Sequence, residues 1–264
     1  MKGRSKVARH NPWRSVFAVV TAVAAWEAYA RSGAGNSHLL PAPSVVGATL
    51  WTGLFEGQLL MDTFASVRRV LIGFAVAAFL GVSLGILCGI YDWLGDALRP
   101  LIGLLRSIPP IAWIPIALLW FGYGDPPAYF LVGLGAFFPI FTNTALGLSQ
   151  VERGAVEVAL CHGARKSLLL RRVIIPQALP AIYTGIRTGL GVAWMVVITA
   201  ELVGAQSGLG YMIQVSRAQL QADKVVAGMV LIGIVGYGLA WLLSFLEQYV
   251  IPWHYRGRAL LPES

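Results

Sequence analysis

Long apolar runs, separated by short polar and turn-rich stretches, dominate the pattern of this 264-residue chain. A run of about 20 apolar residues crosses a bilayer as a helix. Six runs approach or exceed that length, at residues 16–30, 64–90, 101–121, 128–148, 180–202 and 225–251. They predict an all-α, polytopic membrane protein with about six transmembrane helices. The first run is the shortest and contains Glu27. With its basic start and Ala28-Tyr29-Ala30 at its end it also fits a signal peptide, although Trp26 and Glu27 sit badly before a cleavage point. The pattern divides the chain into an N-terminal segment with the first helix (1–63), a core (64–253) and a tail (254–264).

One polar interruption differs from the rest. The 157–176 stretch is basic, and helical patterns run on both sides of Gly163, over 154–162 and 166–174. Glycine closes a helix by adopting a left-handed conformation, and Pro176 cannot continue one. Two short helices joined by a tight turn follow from this, with Pro176 stopping the second. A charged loop that only fixed topology would need neither the glycine nor the proline. The remaining connections are modest. Ser44 is placed to cap a short interfacial helix through Phe55, residues 122–127 form a tight turn, and 205–224 joins the last two runs.

Composition supports the membrane reading. The chain is 57% hydrophobic and 12% charged, against about 25% charged in soluble domains. The net charge of +8 does not point to nucleic acid, because the basic residues form no patch interleaved with aromatics. They follow topology instead. With the amino terminus cytoplasmic and all six runs crossing, Arg31, Arg68, Arg69, Arg217 and Lys224 lie outside, and the other fifteen of the 20 basic residues lie inside. That is a positive-inside bias, with both termini and the 157–176 loop in the cytoplasm.

Candidate chemistry is sparse. No P-loop, His-Glu-x-x-His or Gly-x-Ser-x-Gly motif occurs, and Cys88, Cys161 and the scattered His10, His38, His162 and His254 suit neither a disulfide nor a metal site. This argues against an enzyme and against ATP binding by this chain. Arg106 and Arg187 fall a similar distance inside the third and fifth runs, roughly 8 Å from the cytoplasmic side. Glu201 lies at the far end of the fifth run, about 21 Å from Arg187 along the axis. Ionisable residues in a span are functional candidates, and the alternative is that each snorkels to an interface. Pro109, Pro110 and Pro115 break the third run and mark 107–115 as a pathway wall or gate, or as a packing kink. Trp194, Thr188, Asn143 and Thr144 are weaker candidates, suited to packing or interhelical hydrogen bonds.

From about residue 64 to 253 the chain resembles the inner-membrane permeases of ABC importers, in the taurine, alkanesulfonate and nitrate branch. The matching stretches are Arg106-Ser107-Ile108-Pro109-Pro110-Ile111-Ala112-Trp113-Ile114-Pro115, Trp120-Phe121-Gly122, and the loop with Pro176-Gln177-Ala178-Leu179-Pro180. Thr184-Gly185-Ile186-Arg187, Gly191-Val192-Ala193-Trp194, Ala200-Glu201 and Gly208-Leu209-Gly210-Tyr211-Met212-Ile213 match as well. Val158 and Ile175 depart from the usual alanine and leucine. The resemblance implies a type I importer permease fold with a cytoplasmic coupling loop, carried by Glu157, Ala159, Gly163, Ala164, Arg165 and Pro176. It implies a pathway or gate involving Arg106, Pro109, Pro110, Arg187, Trp194 and Glu201. It also implies a bacterial inner membrane, a second copy of the chain, two ATPase subunits that use ATP and Mg, and a periplasmic or lipid-anchored binding protein. The substrate expected is a small anion such as taurine or an alkanesulfonate, with nitrate or bicarbonate as the alternative. A stand-alone secondary transporter or channel is the rival from another class, but no inverted pair of broken helices and no charged pore ring is visible.

Overall fold

The computed structural model describes residues 12–32 and 40–253, and every regular element among them is helical. In chain order these are α1 (Pro12–Arg31), α2 (Pro43–Phe55), α3 (Gln58–Ile90), α4 (Asp92–Arg106), a 3-10 turn (Pro110–Trp113), α5 (Ile114–Phe121) and α6 (Asp125–Ser149). There follow α7 (Arg153–Cys161), α8 (Lys166–Leu169), a π-turn (Leu170–Ile174), α9 (Ile175–Gly204), α10 (Leu209–Ala218) and α11 (Ala222–Val250). His10, His38, His254 and the basic residues of the two ends, together with the 254–264 tail, lie outside the described residues.

Small residues set the packing. Gly73, Gly81, Gly85 and Gly89 of α3 lie on Val132, Ile140, Thr144 and Leu148 of α6, so the two helices run parallel. A Cβ at Gly85 would come within 2.6 Å of the Thr144 Cβ, so only a bare backbone permits this approach. α9 crosses α6 in the opposite sense, with Gly189 against Ala136 and Ile140, Gly185 against Pro139 and Asn143, and Gly147 against Ala178 and Ala181. The main core forms where these three helices meet, around Val70, Val132, Ile140, Leu190, Ala193 and Val197. Because the membrane interior offers no hydrophobic drive between helices, close contact and hydrogen bonding hold this core together. The starts of α3, α6 and α11 and the end of α9 therefore share one end of the bundle. The 157–176 loop, between α6 and α9, marks the other.

Four continuous helices are long and apolar enough to cross a membrane, namely α3, α6, the 39-residue helix Lys166–Gly204 and α11. The expected third span is not straight. α4 meets the Pro110–Phe121 segment at 86°, and the two together make at most a fifth crossing. Pro109 and Pro110 lack the N–H groups that would carry α4 onward, and Pro109 takes an extended conformation (φ −57°, ψ 139°). The first run does form a helix, α1, but it falls outside the apolar, membrane-length class. Its polar end is tied down: Glu27 accepts from the Ser44 backbone N–H (3.0 Å), the Ser44 hydroxyl (2.8 Å) and Arg31 (2.5 Å). Ser44 therefore joins α1 to α2 rather than capping α2, whose N-cap is Ala42.

Pro176 does not stop the second loop helix. The chain continues from Lys166 into α9 without a break. The π-turn at Leu170–Ile174 lies just ahead of Pro176, and its wider i→i+5 register makes room for the proline ring and its missing donor. The 205–224 connection, read from sequence as a joining segment, contains a further helix, α10, with Leu209, Gly210, Met212 and Ser216 buried.

Candidate functional site

Two arrangements stand out, one at each end of the bundle. At the 157–176 end, α7 closes on Gly163, whose φ of +77° is left-handed. The Gly163 N–H donates to the Leu160 carbonyl (2.9 Å) and the Ala164 N–H to the Ala159 carbonyl (3.0 Å). This pair of bonds satisfies the last carbonyls of α7 and turns the chain sharply into α8. The Gln177 side-chain oxygen accepts from the Glu152 N–H (3.1 Å), which pins the start of α7 to α9. The loop stands clear of the bundle. Glu157, Gly163 and Arg165 are exposed, Ala159, Ala164 and Pro176 are half-buried, and Val158, Leu160 and Leu168 present apolar side chains outward. The loop thus displays three large apolar side chains among exposed charged ones, a combination found at interaction surfaces.

At the other end lies a buried ionic network that the sequence did not reveal. Arg69 of α3 is 1% exposed, and so is Glu201 of α9. Arg69 Nη1 donates to Glu201 Oε1 (2.7 Å) and to the Ser207 carbonyl (2.6 Å), Nη2 donates to Ser207 Oγ (2.8 Å), and Nε donates to Asp125 Oδ1 (2.8 Å). The other Glu201 oxygen accepts from Ser66 Oγ (2.9 Å) and the Gly210 N–H (2.9 Å). Ser66 Oγ accepts in turn from the Leu209 N–H (2.9 Å), and Asp62 accepts from the Gly208 N–H (2.9 Å). Arg68 pairs with the second oxygen of Asp125, which also accepts from the Tyr129 hydroxyl. α3, α6, α9 and the 205–210 segment are thus tied to one guanidinium. Gly208, at φ +108°, passes so close that a Cβ would sit 2.4 Å from the Glu201 carboxylate. Isolated charges at this depth would be costly, and the network is tenable because nearly every lone pair and N–H is used.

The residues read as pathway candidates separate. Glu201 does not stand out at a surface: it is buried among Arg69, Ser66 and the Gly210 N–H. Trp194 is core: its Nε1 donates to the Ile232 carbonyl of α11 (3.1 Å), and the indole packs on Gly236. Arg187 is exposed and lies 4.0 Å from Glu247 of α11. It sits between Gly185 and Gly189, which face α6, so it projects from the opposite side of α9. Arg106 is not part-way along a straight span. It ends α4, where it lines a cavity of about 370 Å³ with Arg99, Phe141, Thr142, Ala145 and Ser149. The structure therefore joins Arg106 to Arg99, not to Arg187. Pro109 is exposed, and Pro110 packs near Gly135 and lines a small apolar cavity with Leu131, Met195 and Thr199.

Sequence reasoning counted Arg68 and Arg69 only as outer charges. The signal that finds them is topological: Arg69, Asp125 and Glu201 fall at the same ends of three different spans, and a buried charge needs a partner.

The family model for binding-protein-dependent transport system inner membrane components matches residues 81–253. A putative ABC transporter permease of Methanocaldococcus jannaschii is 40% identical over 76% of this chain and 75% of its own length. The putative aliphatic sulfonates transport permease SsuC of Escherichia coli is 37% identical over 93% of this chain and 92% of its own. The nitrate import permease NrtB of Synechocystis is 32% identical over 90% and 89% respectively. Among solved structures, the MetNI methionine ABC transporter in an inward-facing form superposes with a TM-score of 0.62 at 20% identity, covering 75% of this chain and 96% of that one, a likeness of fold. The α3–α6–α9 core and the projecting 157–176 loop lie within, or directly beside, the matched region. The chain belongs to the binding-protein-dependent transport system inner membrane component family and is a polytopic permease subunit of an ABC importer.

Proposed function

We propose that the chain forms, with a second copy of itself, the translocation body for a small anion such as an alkanesulfonate or taurine, delivered by a binding protein and driven by two ATPase subunits. The observation that carries this reading is the 157–176 loop. Its glycine turn holds α7 and α8 in one fixed relation, and Val158, Leu160 and Leu168 face outward beside Glu157 and Arg165. A mixed apolar and charged face of this kind suits a water-soluble subunit, and α8 runs on into α9, the helix that crosses the core. A push on the loop thus reaches the span directly. ATP and Mg belong to the partner subunit in this reading.

The anionic substrate is supported by Arg99 and Arg106 on one cavity wall beside α6, where two cations raise the local potential for an anion. The relatives that carry sulfonates and nitrate in their names agree with a small oxyanion. The test is uptake of radiolabelled taurine, an alkanesulfonate and nitrate by cells that express the chain with its partner subunits. R106Q is expected to lower uptake of the anion that is carried by about tenfold, a difference of about 1.4 kcal/mol in the barrier. Unchanged uptake in R106Q and R99Q would remove the cavity from the pathway. Uptake of nitrate but not of sulfonates would select the second substrate.

A further inference from the structure

Leu220, in the turn between α10 and α11, has a positive φ of +59°. Every other positive-φ position among the described residues, Gly57, Gly122, Gly124, Gly163 and Gly208, holds glycine. A side chain in the left-handed conformation crowds the following carbonyl. Leu220 closes α10 as Gly163 closes α7: its N–H donates to the Arg217 carbonyl (3.1 Å), and the Gln221 N–H donates to the Ser216 carbonyl (2.9 Å). Glycine would make the same closure with less strain. A leucine could compensate by packing on its own helix, but Leu220 is 85% exposed, more than any other large apolar side chain among the described residues. Strain of this kind gathers at sites that bind. The turn is also held firmly. Arg69 and Asp62 fix Ser207 and Gly208 ahead of α10, and the Thr49 hydroxyl donates to Asp223 (2.9 Å) at the start of α11.

The surroundings of Leu220 select its occupant. It lines a cleft of about 520 Å³ with Pro41 and Asp223, and the adjacent Gln219 and Gln221 line another of about 610 Å³. It is thus a fixed apolar knob between two clefts. Arg217 and Lys224 stand near it, exposed and without an ion-pair partner among the described residues. An apolar centre with a polar rim is the anatomy of a protein interface. Acyl chains could cover the leucine, but they would strip the flanking glutamines and the two cations of hydrogen-bond partners. This end of the bundle lies opposite the 157–176 loop, and the family is one of binding-protein-dependent systems. We propose that Leu220 is the anchor on which the binding protein docks. Its side chain enters an apolar socket on that protein, edged by carboxylates that meet Arg217 and Lys224. The inference rests on the reading above that a binding protein delivers the substrate.

The test is the affinity of the fluorescently labelled binding protein for the complete importer in nanodiscs, with the unfolding midpoint of each variant measured alongside. L220G relieves the strain and removes the knob. Its midpoint is expected to hold or rise while its affinity falls at least about tenfold, the scale set by burying one leucine side chain. L220N tolerates the same φ without an apolar side chain and should bind as poorly as L220G. L220M keeps an apolar side chain of similar volume and should bind within severalfold of wild type. Wild-type affinity in L220G and L220N, or a lower midpoint in L220G, would overturn the proposal and leave the delivery reading intact. No binding by the wild-type importer would overturn the delivery reading, and the proposal with it. An environment-sensitive dye on L220C, in a chain whose Cys161 is replaced, separates the other occupants. Its emission should shift to the blue only when the binding protein is added. The same shift in lipid alone would give the knob to the membrane, and an L220C disulfide between two chains would give it to a second copy. Either result would overturn the proposal.

Discussion

Removing one member of the Arg69 network strands the others where water cannot reach them. Arg69 and Glu201 are both about 1% exposed, so each neutralises a charge that would otherwise be buried alone. Breaking such a pair from one side costs about 3–5 kcal/mol, while removing both sides together costs less. R69M and E201L are each expected to lower the unfolding midpoint of the detergent-solubilised protein sharply. The double variant should be less damaged than the sum of the two, because Arg68 remains for Asp125. A strictly additive double variant would show that the pair is not coupled. Gly208 tests the same site sterically. A methyl group there would overlap the Glu201 carboxylate at 2.4 Å and force a strained left-handed backbone, so G208A should destabilise the protein even though it changes no charge. A G208A protein with wild-type thermal stability would contradict the described contact.

At the scale of elements, the informative piece is the hinge between α7 and α8. Gly163 has open space around its Cα, so its requirement is conformational rather than steric. G163V puts a β-branched residue at φ +77° and should cost about 1–2 kcal/mol in the turn alone. The chain should still insert, since the spans are untouched, while transport falls. This element was legible in the sequence because a glycine between two amphipathic pieces has a specific local meaning. The continuation past Pro176 was not legible, because a π-turn accommodates a proline that the local rule treats as a stop. The broken third span was legible at its prolines, but the 86° angle, and with it the place of Arg106, depends on how α4 packs. The Arg69 network escaped for a similar reason. Its members are 56 and 132 residues apart in sequence and become neighbours only when α3 and α6 run parallel and α9 returns. α10 carries only a short apolar pattern, too brief to be separated from a loop by periodicity.

At the scale of the whole molecule, the bundle has two structurally distinct ends joined by α9. One displays an uncovered apolar and charged loop, and the other is locked by a buried guanidinium. Topology is checked by single cysteines introduced after Cys161 is replaced, because Cys88 is fully buried. Tyr123, 74% exposed in the turn before α6, should label from the side opposite Leu168, 51% exposed in α8. Ser207 is a poor reporter because its hydroxyl is held by Arg69, and Ser37 lies outside the described residues. Labelling of positions 123 and 168 from the same side in intact cells would refute α6 as a crossing between them. The central claim, that this chain is a pathway driven through its 157–176 loop, is tested most directly by ATP-dependent uptake of a labelled alkanesulfonate into proteoliposomes. These would hold the chain, its ATPase subunits and its binding protein. Uptake is expected to require ATP and to fall at least about tenfold in G163V while the assembled complex persists. Uptake that proceeds without ATP, or that is equal in G163V and wild type, would contradict it.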